Sequence, residues 1–268
     1  MSNQSNQEDV HDINDTNILQ EGEGTEERLA RFLAHAGVAS RRHAETLIAN
    51  GRVQVNGITI TMQGTRIDPM HDRISVDGKL IHGAVEHVYI LLHKPENFVC
   101  TMRDERGRPT VLDLLPAELR KLRVYPVGRL DADTSGLLLM TNDGDFAQHV
   151  AHPRHATTKR YEALVKGYPT TDTLNALQTG VVIPEDDGGQ HTTAPALVNI
   201  LRRVGNDCLL SLTIHEGRKR QIRRMLSVVE HPVLTLTRVA VGTITLKGVP
   251  IGKWRYLTEA EVEELRAE

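Results

Sequence analysis

The residues best placed to do chemistry lie in one stretch, Val127-Gly-Arg-Leu-Asp-Ala-Asp-Thr-Ser-Gly-Leu-Leu-Leu-Met-Thr-Asn-Asp-Gly144. A polar turn with Arg129, Asp131, Asp133 and two glycines runs straight into the apolar run Leu137–Met140. That is the layout of a reactive loop fixed on a rigid, buried strand. A carboxylate held in this way can serve as nucleophile, as general base or as metal ligand.

Two metal or phosphate readings fail on spelling. Asp131-x-Asp133-x-Ser135-Gly136 mimics a calcium loop, but the bidentate Glu needed at loop position twelve is replaced by Asn142. The aspartyl-phosphate pattern D-x-D-x-T/V meets Ser135 at its fifth position, and Gly128-Arg-Leu precedes it in place of an unbroken apolar strand. His149, His152 and His155 have tempting spacing, yet the i, i+4 pair of a helical zinc site is missing and Pro153 interrupts any helix through them. No metal site is expected.

The second chemical cluster is Glu216-Gly-Arg-Lys-Arg-Gln-Ile-Arg-Arg-Met225. On a helix following Gly217, at about 100° per residue, Ile222, Met225, Leu226 and Val229 form one apolar stripe. Arg220 and Arg224 are expected on the solvated face. Arg223 borders the stripe and needs an anionic partner, because burying it unpaired is costly.

The elements that must position these residues read as follows. A short helix from Glu26 buries Leu29, Phe32 and Leu33 and stops at Gly37. A second begins at the N-cap Ser40, and Asn56-Gly57 then marks a tight hairpin. Arg28, Arg31, Arg41, Arg42 and Arg52 oppose few acids in this small unit. Arginines at a helix start concentrate positive potential where phosphate can dock. Ile81–Glu86 reads as a linker. Beyond it come strands at Val88–Leu92, Lys159–Val165, Gly180–Pro184, Ala194–Leu201, Cys208–Ile214 and Thr235–Leu246, while Arg123–Val127 leads into the reactive stretch. Helices are expected at Asp145–Val150 and Thr170–Leu177, and Thr258-Glu-Ala-Glu261 is a capping box. Val111–Leu119 is amphipathic and broken at Pro116. Strands outnumber helices and the connections are irregular, so the fold class is α+β with a mixed, mostly antiparallel sheet.

Composition bounds the setting. At 268 residues, 25% charged, the chain has room for a small and a larger domain. The expected division is an acidic, disordered tail at 1–24, a small domain at 25–82 and a larger one at 83–268. The net charge of −3 conceals a basic body, since the six acids and no bases of the tail leave +3 on the rest. No apolar run is long enough for a membrane span, no leader is apparent, and two cysteines without a CxxC suit a reducing cytoplasm.

Arg28-Leu-Ala-Arg-Phe-Leu33, Gly37-Val-Ala-Ser-Arg-Arg42 and Asn50-Gly-Arg-Val-Gln-Val-Asn-Gly57 resemble the small RNA-binding domain named after ribosomal protein S-four. Gly128–Gly144, Lys159-Arg-Tyr161 and Glu216–Met225 together resemble the three signatures of RsuA/RluB-type ribosomal RNA pseudouridine synthases. The resemblance implies a cofactor-free isomerase that detaches uracil from its ribose, turns it and rejoins it through carbon. It assigns Asp131 as nucleophile, Tyr161 as the ring stacked on a flipped base, and Arg223 as the partner of Asp131. Arg129 would fill the vacated stack or hold the backbone, while Lys159, Arg218, Lys219 and Arg220 would grip phosphates. Asp133 becomes a turn-stabilising acid, because a second free carboxylate would blunt the nucleophile. Thr193-Ala-Pro-Ala196 tilts the substrate toward large-subunit ribosomal RNA, in an assembling particle, handled by a monomer. Small-subunit RNA and a non-catalytic ribosome-assembly factor are the competing expectations.

Overall fold

The computed structural model describes residues 26–83 and 86–268. The expected tail and the middle of the expected linker lie outside them. The chain divides after Gly83 into two compact units, with His35–Val38 grouped with the second.

In the first unit, helices Leu29–His35 and Arg41–Ala49 bury Leu29, Phe32, Leu33, Ala44, Leu47 and Ile48. Ser40 caps the second helix, its side chain accepting from the His43 N–H. The sheet order is Ile58–Ile60, Val53–Val55, Ile74–Val76, Lys79–Leu80. Asn56 and Gly57 both have positive φ, 53° and 82°, as a two-residue hairpin requires. The sequence pattern shows the first hairpin but not the last two strands, which are too short to display alternation.

The second unit is built on a nine-stranded sheet. Its main path runs Leu197–Val204, Asp207–Ile214, Lys159–Val165, Val233–Val241, Ser135–Thr141, Tyr89–Lys94, Trp254–Tyr256. All neighbours on this path are antiparallel except Val233–Val241 beside Ser135–Thr141. Ser135–Thr141 is buried at every residue. Leu138 and Met140 enter one apolar cluster with Tyr161, Ile222 and Met225, while Leu137 and Leu139 enter another with Phe146, Val262 and Leu265. A strand covered on both faces must be apolar at consecutive positions, which accounts for the unbroken run. Burying each of these side chains contributes roughly 1.5–3 kcal/mol.

The single parallel contact sets a tight constraint. Gly136 pairs with Arg238 at φ +118°, and a Cβ there would stand 2.3 Å from the Arg238 carbonyl oxygen. Only glycine permits so close a backbone approach. The reactive loop is thereby clamped at its point of entry into the sheet.

Candidate active site

The loop Gly128–Thr134 connects the strand Tyr125–Val127 to Ser135–Thr141. A turn closes inside it, with the Thr134 N–H donating to the Asp131 carbonyl at 3.1 Å. Asn97 N–H donates to the Ala132 carbonyl at 2.7 Å. Beneath it sits Lys94, fully buried at the end of its strand. Its ammonium donates to the carbonyls of Pro95 (3.0 Å), Asp131 (3.1 Å) and Thr134 (2.8 Å). Burial pulls its pKa below that of an ordinary lysine, against the opposing charges of Cys100, Glu96, Asp133 and Asp131. One buried cation thus holds the backbone on either side of the two acids.

The two acids have different surroundings. No hydrogen bond or ion pair holds the Asp131 carboxylate among the described residues, and it faces a cavity of about 540 Å³. Asp133 receives Arg220 through both carboxylate oxygens, at 3.1 and 2.9 Å. Arg223, whose side chain is 14% exposed, donates from Nη2 to the Asp133 carbonyl at 2.6 Å, and its Nε lies 3.5 Å from the Asp133 carboxylate. Burial pushes the Asp133 carboxyl up, but the Arg220 hydrogen bonds and the charges of Arg223 and Arg220 outweigh it and hold it below the usual carboxylate range.

This corrects the expected pairing of Arg223 with Asp131. Arg220, just ahead of the helix, and Arg223, in its first turn, both aim their guanidinium groups at one acid. Arg223 is registered on Asp133 by that residue's own carbonyl. Asp133 therefore ties the loop to a helix 87 residues away in sequence, rather than stabilising its own turn. The helix itself starts at Gln221, later than expected, because Arg220 adopts a left-handed conformation at φ 52°. The expected solvated face is also amended. Arg224 donates to the Pro184 carbonyl and pairs with Asp186, because the Val182–Pro184 hairpin folds its acidic loop over the helix.

Asp133→Ala is expected to cost about 1–2 kcal/mol in urea unfolding. Removing one member of a buried pair costs more, but Asp133 is half exposed and water screens the loss. Turnover should fall about tenfold as the loop loses its tether, and Asp133→Asn should lose less.

The cavity draws its walls from Asp131, Lys159, Tyr161, Ile222, Leu236 and Arg238. Tyr161 is 9% exposed, and the strand register sets it opposite Arg238. Lys159 is half-buried inside the cavity rather than on an outer phosphate-gripping surface. Arg129 is exposed at the rim, which also borders a second hollow along the Arg103–Arg108 loop. Arg218 pairs with Glu185, and Lys219 with Asp186 at 2.6 Å. His149 and His155 stack at 3.9 Å, and Arg154 donates to His155, an arrangement of rings rather than of converging ligands.

In the first unit Arg28, Arg41 and Arg42 are exposed. Arg31 pairs with Glu27 and Arg52 donates to Asp77 from Nε at 2.9 Å. Local sequence patterns miss Lys94 and Arg238. The signal for Arg238 is its period: Leu236, Arg238 and Ala240 share a buried face, so an arginine stands where a core residue belongs. For Lys94 the signal is a lysine closing a buried strand.

A family model described as RNA pseudouridylate synthase matches residues 88–228, and one for the S4 domain matches residues 27–74. The chain is 43% identical over 241 residues to the ribosomal large subunit pseudouridine synthase B of Bacillus subtilis, covering 90% of this chain and 96% of that one. It is 38% identical to the protein of the same name from Pseudomonas aeruginosa, covering 90% and 62%. A crystal structure of a pseudouridylate synthase superposes with a TM-score of 0.64 at 30% identity, covering 89% of this chain and 99% of that one.

Proposed function

The chain belongs to the RNA pseudouridylate synthase family, and from that premise we propose that it isomerises a uridine of large-subunit ribosomal RNA to pseudouridine, with Asp131 as nucleophile. The observation that carries the assignment is the unpaired Asp131 carboxylate facing a cavity walled by Tyr161. A free carboxylate on a rigid loop can attack or trap C1′ of the ribose once the base is flipped into the cavity. Tyr161 presents a ring for stacking and a hydroxyl within reach of a proton transfer. Arg223 acts through Asp133, fixing the loop rather than touching the nucleophile. The ribosomal substrate and its large-subunit origin rest on the names of the relatives.

The residues 25–82 are proposed as the RNA-binding domain and 83–268 as the catalytic one, with the protein acting as a monomer. Arg28, Arg41 and Arg42 would supply the general phosphate attraction of the first, and Arg129 that of the second. Arg52, Arg218, Lys219 and Arg220 already hold acids and would have to exchange them for phosphate. Among the described residues no helix is long and apolar enough to cross a membrane.

The test is incubation of the full chain with unmodified large- and small-subunit ribosomal RNA transcripts, with and without chelator, followed by pseudouridine mapping. Pseudouridine is expected at a defined position of the large-subunit RNA, at equal yield with chelator. Modification confined to the small-subunit RNA would overturn the substrate reading, and no modification of either would leave a binding factor.

A further inference from the structure

The cations that line the cavity fall into two groups. Arg129 apart, those at the exposed rim of the cavity are neutralised: Arg218 by Glu185, Lys219 by Asp186, Arg220 by Asp133. Those inside it are not. Arg238 is 4% exposed, and its one hydrogen bond among the described residues runs from Nε to the Leu137 carbonyl at 2.8 Å. Lys159 donates to the Thr157 carbonyl at 3.0 Å, and among the described residues no carboxylate lies within ion-pair distance of it. Burial, and then the charge of Arg238, pull its pKa below the ordinary lysine value, and Glu268 opposes them from farther away.

A buried and a half-buried cation side by side, with no acid paired to either among the described residues, are costly for a folded chain to keep. Both line the cavity faced by Asp131. Lys159 and Tyr161 share one face of their strand, two residues apart, and Tyr161 stands opposite Arg238 on the next. The arrangement has the form of an anion site whose anion arrives with the substrate.

Building on the isomerase reading, we propose that Lys159 and Arg238 receive the negative charge of the detached uracil. When the C1′–N1 bond breaks, its electron pair leaves on N1 and the charge spreads over O2 and O4 of the ring. Asp131 holds C1′ or the cation formed there. A C1′–C5 bond then forms, the proton leaves C5, and N1 takes up a proton, so the product is an isomer of the substrate. Donors fixed where the leaving charge develops lower that barrier without reorganisation. They also tether the free ring electrostatically while it turns. The walls Tyr161, Ile222 and Leu236 suit a planar base. A phosphodiester, by contrast, is met at the exposed rim by Arg129.

The experiment uses the full chain and an unmodified large-subunit ribosomal RNA transcript made with uridine tritiated at C5, so that each isomerisation frees one triton. Lys159→Met is expected to lower the single-turnover rate at saturating RNA by about 100-fold, the scale for losing one preorganised donor, with the RNA dissociation constant within about threefold. Lys159→Arg should recover at least about a tenth of the wild-type rate, and Arg238→Lys should retain more than Arg238→Met. Thermal unfolding of each variant is measured alongside, and where an Arg238 variant fails to fold the Lys159 series decides. A loss carried by the dissociation constant, with the saturating rate near wild type, would identify a phosphate grip and overturn the proposal. So would a Lys159→Arg variant no better than Lys159→Met. If the wild-type protein itself frees no tritium, the isomerase reading falls and this inference with it.

Discussion

Asp131→Asn is expected to reduce turnover by at least about 10⁴-fold while RNA affinity stays within about threefold. The expectation follows from what holds Asp131 in place. Its position is set by backbone groups: the carbonyl accepts from Lys94 and from the Thr134 N–H, and neither bond involves the carboxylate. The amide side chain has the same shape and occupies the same place, so the loop, the Asp133 tether and the cavity walls persist. What disappears is the negative charge, and with it an oxygen nucleophilic enough to bond C1′. RNA binding draws on arginines elsewhere and is unaffected. The neighbouring substitution Asp133→Asn is the internal control, since it removes an equal charge two residues away. If Asp131→Asn kept more than a hundredth of the wild-type rate, or Asp133→Asn lost as much, the two acids would have been assigned the wrong way round. Single-turnover tritium release and filter binding measure the two quantities separately.

That contrast also marks how far local patterns reach. The buried strand Leu137–Met140, the Ser40 cap, the Asn56-Gly57 hairpin and the Thr258–Glu261 capping box are all local, and each appears in the structure where the pattern puts it. The strand Trp254–Tyr256 does not announce itself, because three residues cannot display an alternation. The charged partners are hidden for a different reason. Asp133 meets Arg220 and Arg223 across 87 and 90 residues, and nothing in either segment specifies which of two acids the arginines will find. The sequence pattern indicates that Arg223 needs an anion, and the fold supplies which one. Arg220, expected in solvent, is recruited because a left-handed turn ahead of the helix aims it back at the loop. Lys94 and Arg238 escape because a buried cation breaks the rule that apolar residues fill the core. Such breaks fall where a fold gives up stability for function.

Lys94→Met carries the second large effect: a loss of roughly 3–5 kcal/mol in unfolding free energy, with turnover abolished in whatever fraction stays folded. Methionine matches the length and volume of lysine, so packing against the strand is nearly unchanged. The cost is electrostatic. Three carbonyls, of Pro95, Asp131 and Thr134, now accept from one ammonium at 3.0, 3.1 and 2.8 Å; a thioether donates to none of them, and the Asp131 carbonyl would keep the Thr134 N–H. Each buried carbonyl left without a donor costs about 1–3 kcal/mol, offset in part because an expensive buried charge goes with the substitution. The loop can recover its hydrogen bonds only by swinging out to water, and that movement carries Asp131 away from Tyr161. Lys94→Arg should not rescue it, since a planar fork cannot place its donors on three carbonyls arranged around one point. Urea unfolding read at Trp254, which lies on the strand paired to Lys94's own, would follow the stability loss. A Lys94→Met protein with wild-type stability and rate would show that the loop is held without the buried ammonium.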